Sequence, residues 1–417
     1  MAPPAATTGA VSKNLLLAAL SLVVTWLVLE LLVVPLALPL TPLRIQAGLP
    51  RPLRPLAQSS KQGTLPDRYV ALIGDSNAQG AGDWLLSVDA IRNPAFHSAH
   101  LLCEKTGRNV INFGASGAGS LRAMGTEPEA SVDTLRRTWR YRLADPELLL
   151  VYFYEGNDLQ DNLRDLDHTY AAGGFDPARE FDGAYFRDFV RATAAERSPV
   201  AEDLAAWRFT DNFFLARFVM RVIRALVDRS WQQGEPAPDW SPGGVSRAEI
   251  GGAQRALPDG LQGPPLELSP DELELAFWAH AQAFALLRER FPEARSLVIY
   301  LPSPLAIYRI TSPEVDVQIQ RGSGPTRFAR AELAERSDLV CQRIEAITRA
   351  GGGQFVDARP ALWEAAAREP IHGPRDWKHL NRVGQERLAE LVVAALESQQ
   401  SQSCASLRAR LAHRPGR

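Results

Sequence analysis

Five short runs of β-forming residues alternate with stretches of helical patterning, and this alternation restricts the chain to very few folds. The runs fall at residues 69–73, 109–112, 148–154, 296–301 and 354–357. Several are apolar almost without interruption, as in Leu148-Leu149-Leu150-Val151-Tyr152-Phe153-Tyr154. A strand that is apolar on both sides is buried on both sides, which is the environment of a parallel sheet between two layers of helices. The expected fold is α/β, a doubly wound three-layer α/β/α parallel sheet. In such folds binding and chemistry sit at the carboxyl ends of the strands.

The interval between the third and fourth runs is far too long for one crossover, so residues of about 160–270 read as an insertion. Its middle, residues 203–231, has a helical pattern carrying Trp207, Phe209, Phe213, Phe214, Phe218, Ile223 and Leu226. That helix either packs on the helices of the sheet or acts as a lid or membrane-surface contact. Residues 232–265 are rich in Gly and Pro and are expected to be loop.

Ahead of the α/β pattern, residues 15–34 are apolar except for small polar side chains and Glu30. Twenty helical residues span about 30 Å, the thickness of a bilayer core. The apolar character continues to Leu40 without an A-x-A site, which favours a retained anchor over a cleaved signal peptide. The expected organisation is an N-terminal flank (1–13), a transmembrane signal anchor (14–40), a linker rich in Pro, Arg, Gln and Ser (41–66), an α/β domain (67–398) and a disordered polar tail (399–417). Lys13 precedes the span while Arg44, Arg51 and Arg54 follow it, so the positive-inside rule alone would put the following flank in the cytoplasm.

Composition excludes several classes. With 46% apolar and 23% charged residues the chain is globular rather than disordered. A formal charge of −2 supplies no basic field to hold a nucleic acid. Cys103, Cys341 and Cys404 are too few and too scattered for a disulfide scaffold or a zinc site. His97, His100, His168, His280, His372 and His413 show no metal-ligand spacing, so no metal site is expected.

Four segments carry candidate chemistry. The first strand ends in Gly74-Asp75-Ser76-Asn77, where a strand-to-helix turn exposes the Ser76 hydroxyl. The second ends in Asn112-Phe113-Gly114-Ala115-Ser116-Gly117, whose glycines let an oxygen approach a backbone N–H. The third ends in Tyr154-Glu155-Gly156-Asn157-Asp158, where the Asn157 amide can face a developing oxyanion. Late in the chain, Asp376-Trp377-Lys378-His379 lets a carboxylate fold back onto an imidazole, leaving the other ring nitrogen to take a proton from a serine. Each also has an ordinary structural reading: a helix cap, a flexible loop, an Asx-turn or a structural histidine.

In order and in register with the strands, these segments resemble the sequence blocks of the SGNH (GDSL-type) hydrolase superfamily, from about Tyr69 to Leu396. The resemblance implies an SGNH-hydrolase/flavodoxin-like sheet and a serine esterase working through an acyl-serine intermediate, with no cofactor. By motif, Ser76 is the nucleophile, His379 the general base and Asp376 its orienting carboxylate. The backbone N–H groups of Ser76 and Gly117 and the Asn157 amide form the oxyanion hole. One departure is Glu155 where the family's G-x-N-D block begins with glycine, which is expected to narrow or charge the pocket. The implied substrate is an ester-bearing small molecule, lipid or acylated glycan. An O-acyltransferase or deacetylase of cell-envelope polysaccharide, and an inactive envelope scaffold, are the alternatives. Anchor and family together imply a bacterial inner-membrane protein with its catalytic domain in the periplasm, against the charge rule.

Overall fold

The computed structural model describes residues 8–41, 54–82, 97–137, 141–197 (except 172 and 180), 213, 215, 219, 223, 242–319 and 324–412. Its centre is a five-stranded sheet made of β1 (Val70–Ile73), β2 (Val110–Asn112), β3 (Leu148–Tyr154), β6 (Arg295–Leu301) and β10 (Gln354–Asp357). The order is β10-β6-β3-β1-β2 and every pairing is parallel. β1 and β3 are neighbours, in register Val70↔Leu148 through Ile73↔Val151. The chain runs outward from β1 to β2 on one side and from β3 through β6 to β10 on the other. The crevice between β1 and β3 is thus the topological switch point of the sheet.

Both faces of the sheet are buried because successive side chains alternate between them. Ala71, Ile73, Leu149, Val151, Phe153, Val298 and Tyr300 join one core. Val70, Leu72, Leu148, Leu150, Tyr152, Leu297 and Ile299 join the other. Helices Ser120–Gly125, Asp158–Asp165 and Pro270–Arg290 contribute Leu121, Leu159, Phe277 and Phe284 to the first. Helices Ser98–Thr106, Arg359–Arg368 and Arg382–Ser398 contribute Leu102, Leu362 and Leu388 to the second. This three-layer arrangement is what the near-continuous apolar strands demand. Two of the long helices have explicit starts: Ser269 forms a capping box with Glu272, and Asn381 caps Arg382–Ser398 through the Gly384 N–H.

The N-terminal segment is helical from Thr8 to Leu40, with a wide π turn at Leu29–Val33. Pro35 follows that turn and lacks the N–H that would close the regular ladder. The stretch Lys13–Leu40 is long and apolar enough to cross a membrane. Its end is not detached from the domain, since Val34 and Leu38 are buried in the first core and Thr64 Oγ1 donates to Pro35 O at 2.7 Å. Of the expected linker, Gln58 and Ser60 lie along the edge strand β2. The Gln58 amide pairs with Asn112 N and O at 2.8 and 2.7 Å, and Val110 N donates to Ser60 O at 2.8 Å. These bonds cover an edge that would otherwise stay open.

Three expectations need correction. The tail is ordered as far as Ala412: Gln402 bridges to Val356, and helix Leu407–Ala412 buries Leu407. Two of the cysteines, Cys341 and Cys404, form a disulfide across 63 residues, fastening that tail to helix Arg330–Ala350. The Gly/Pro-rich end of the insertion holds a hairpin, β4 (Pro242–Ile250) and β5 (Ala253–Pro258), in which Gly251 and Gly252 make the turn at positive φ. β4 pairs with β7 (Arg309–Ile310), and β8 (Glu314–Gln318) pairs with β9 (Pro325–Ala329). The aromatic helix expected at 203–231 lies outside the described residues apart from Phe213, Leu215, Val219 and Ile223, of which the last three are helical.

Candidate active site

Ser76 begins the four-residue helix Ser76–Gln79 directly after β1. Asp75 caps that helix, accepting from Asn77 N at 2.8 Å and from Asn77 Nδ2 at 3.2 Å. Burial pushes the Asp75 carboxyl up, with the Asn77 N–H and the nearby His379 ring pulling it back. From the other side, His97 packs on the turn and its Nε2–H donates to Gln79 O at 2.8 Å. Burial lowers the His97 pKa to about 4, so this ring stays neutral.

The loop after β2 is clamped onto the loop after β1. Asn112 Nδ2 donates to Ala78 O at 2.7 Å, Ala115 N to Gly74 O at 3.0 Å, and Ser116 N to Gln79 Oε1 at 2.6 Å. Gly114 permits this closeness, because a Cβ there would stand 2.3 Å from Gln79 N. Gly117 adopts φ +68°, is exposed, and has nothing within 4 Å of where a Cβ would project. Its carbonyl is held by Arg164 Nη2 at 2.9 Å.

The late loop is braced from behind. Tyr308 Oη accepts from Ile371 N and His372 N at 3.0 and 3.1 Å and lies 3.1 Å from His372 Nδ1. Asn381 Nδ2 donates to Pro370 O and His372 O at 3.0 and 3.3 Å. The supported turn delivers His379 Nδ1 to 2.6 Å from Asp376 Oδ2, and His379 Nε2 to 2.8 Å from Ser76 Oγ. Although burial opposes its ionisation, the Asp376 carboxyl is held below its ordinary pKa by the His379 ring and the N–H groups of Lys378 and His379. An ionised Asp376 only accepts, so Nδ1 carries the ring proton and Nε2 is left to accept the Ser76 hydroxyl.

Asn157 stands at the end of β3 and precedes helix Asp158–Asp165. It is buried, and among the described residues its side-chain Oδ1 has no protein partner. Behind it lie Asp158 and Asp161. Burial, reinforced by the charge of Asp75, drives Asp158 well above the ordinary carboxyl range. Burial carries Asp161 to about 7, with Arg164 opposing.

Ser76, Asp376 and His379 are joined by direct hydrogen bonds, while Gly117 and Asn157 occupy the loops after the strands on either side of β1. Glu155 departs from expectation. It is fully buried beneath the site rather than in a pocket wall, and its Oε2 accepts from Ser303 N at 3.3 Å. Sequence reasoning missed Tyr154 and Gln262, which meet at 2.8 Å, with the Tyr154 hydroxyl also 3.4 Å from Lys378 O. Tyr154 was signalled by its place at the strand end. Gln262, in the insertion, carried no signal.

No family model matches the chain, and neither a curated protein nor a solved structure matches it.

Proposed function

We propose that this chain is a membrane-anchored serine esterase of the SGNH type that cleaves carboxylic esters through an acyl-Ser76 intermediate. One observation carries the reading: the unbroken hydrogen-bonded chain from Ser76 Oγ through His379 to Asp376 at 2.8 and 2.6 Å. In the proposed reaction His379 Nε2 takes the Ser76 proton as Oγ attacks the ester carbonyl. The resulting imidazolium is stabilised by Asp376 and returns the proton to the leaving alcohol. The oxyanion is met by the N–H groups of Ser76 and Gly117 and by the Asn157 Nδ2–H. Water, deprotonated by His379, then releases the acid. A fluorophosphonate probe should label the full-length protein and fail on Ser76→Ala. Folded wild-type protein that takes no label would favour the inactive-scaffold reading.

An O-acyltransferase or deacetylase of envelope polysaccharide shares the first half-reaction. An extracytoplasmic position for the domain is supported by the Cys341–Cys404 disulfide, since such bonds persist in oxidising compartments. Activity on an aryl acetate with and without a sugar acceptor separates hydrolysis from transfer. The inner-membrane, periplasm-facing orientation is tested by protease accessibility in spheroplasts, where protection of the domain would reverse it.

A further inference from the structure

The anchor is not uniformly lipid-facing. Trp26 is half-buried, and Glu30, Val34 and Leu38 are buried, four residues apart each time, on one stripe of an otherwise exposed helix. At the upper end this stripe meets the α/β domain. Lower down, at Trp26 and Glu30, it meets the insertion. The Trp26 and Phe213 ring centroids are 4.8 Å apart, and Leu215 N donates to Glu30 Oε2 at 2.7 Å.

Depth follows from length. Lys13–Leu40 has 28 residues, while a bilayer core takes about 20. Any placement of such a core within this stretch includes roughly residues 21 to 32. Trp26 and Glu30 therefore lie inside the hydrocarbon wherever the span settles, and Phe213 and Leu215 touch them at that depth. Helical Val219 and Ile223 continue from Leu215 at four-residue steps and are 43% and 46% exposed. These two exposed apolar side chains follow the residues that touch the anchor.

We infer that the insertion enters the bilayer beside the anchor, seating Phe213, Leu215, Val219 and Ile223 in lipid. This explains the acidic residue in an otherwise apolar span. A backbone N–H at the start of a helical segment has no water to bond in hydrocarbon and needs an internal acceptor, which Glu30 provides. The occupant of the exposed Val219/Ile223 face is lipid acyl chain. Two adjacent insertions also stop the catalytic domain from swivelling about a single helix. The inference rests on the anchor crossing the membrane but not on the esterase chemistry.

The test uses full-length protein with Cys103→Ser, labelled with an environment-sensitive fluorophore at one introduced cysteine. It is reconstituted in phosphatidylcholine vesicles with or without acyl chains brominated at mid-chain. Ile223→Cys is compared with Val24→Cys in the anchor and Leu339→Cys on the domain surface. Quenching at Ile223 equal to that at Val24, with none at Leu339, is the expected result. An unquenched Ile223 beside a quenched Val24 overturns the inference, whether its emission is water-like or that of a site packed against protein. An unquenched Val24 shows that the anchor reading itself has failed, and the inference falls with it.

Discussion

Ser76 Oγ and His379 Nε2 lie 2.8 Å apart although 303 positions separate them in the chain. The contact depends on the ring being turned the right way, and Asp376 turns it by accepting from Nδ1 at 2.6 Å. Asp376→Asn keeps the shape but offers the ring an N–H where it needs an acceptor. Turnover of an aryl ester should fall about 10⁴-fold with melting nearly unchanged. Near-normal turnover would mean that another group orients His379.

Asn157 gives a cleaner separation of catalysis from stability. Its side-chain Oδ1 has no protein partner among the described residues, so truncation breaks no hydrogen bond at that atom. Asn157→Ala should lower kcat about 10²–10³-fold, the cost of one oxyanion donor. The melting transition should move by no more than about 1 kcal/mol equivalent. A large stability loss with modest rate loss would assign it to the helix start instead.

Buried acids make the fold sensitive to alkali. Burial raises Glu155 to about 7, against the pull of Arg359, while the unfolded chain has the ordinary value near 4.5. Between those values the folded state holds a proton that the unfolded state has lost. Stability from this group is therefore full below about pH 4.5 and is lost as pH rises through about 7. The span corresponds to a contribution on the order of 3 kcal/mol. Asp161 and Asp165, raised to about 7 and about 6 by burial, act with the same sign. Glu155→Gln has no proton to lose, so denaturation midpoints measured from pH 5 to 8 should fall less steeply than in the wild type. Parallel pH curves would show that Glu155 ionises in the folded protein without cost.

The five sheet strands were legible because burial on both faces leaves few polar positions, and apolar runs of that length have one common use. Ser76 was legible because it follows a strand and opens a helix, and Asp376 and His379 because their three-residue spacing in a turn ahead of helix Arg382–Ser398 is a recurring local pattern. Glu155 was misread although strand alternation points away from the pocket: Phe153 and Glu155 share one face, Tyr152 and Tyr154 the other. Its departure from the family's block says nothing about the face it takes, which parity along the strand sets. Gln262 was illegible for a deeper reason, since its meeting with Tyr154 spans 108 positions and nothing local marks it. The tail misled by composition. Gln402 adds to the sheet through backbone N–H and C=O groups, as in Gln402 N to Phe355 O at 2.9 Å, and polarity of the side chain says nothing about that.

That tail supplies the last expectation. Cys404 is tied to Cys341, Ala405 N donates to Asp357 Oδ2 at 2.8 Å, and Leu407 N donates to Asp338 Oδ1 at 2.8 Å. Asp357 and Asp338 also hold the buried Arg359 guanidinium at 3.0 and 2.9 Å. Loss of the disulfide frees a loop of 63 residues in the unfolded chain, and Cys404→Ser should cost about 2–4 kcal/mol in urea denaturation. Because β10 is the edge strand opposite β2, the site beside β1 should be spared and turnover per folded molecule unchanged. Wild-type protein should lose the same stability on adding reductant, while the variant should not respond. Equal urea midpoints for the reduced and oxidised wild type would show that the backbone bonds at Gln402 and Ala405 hold the tail without the sulfurs.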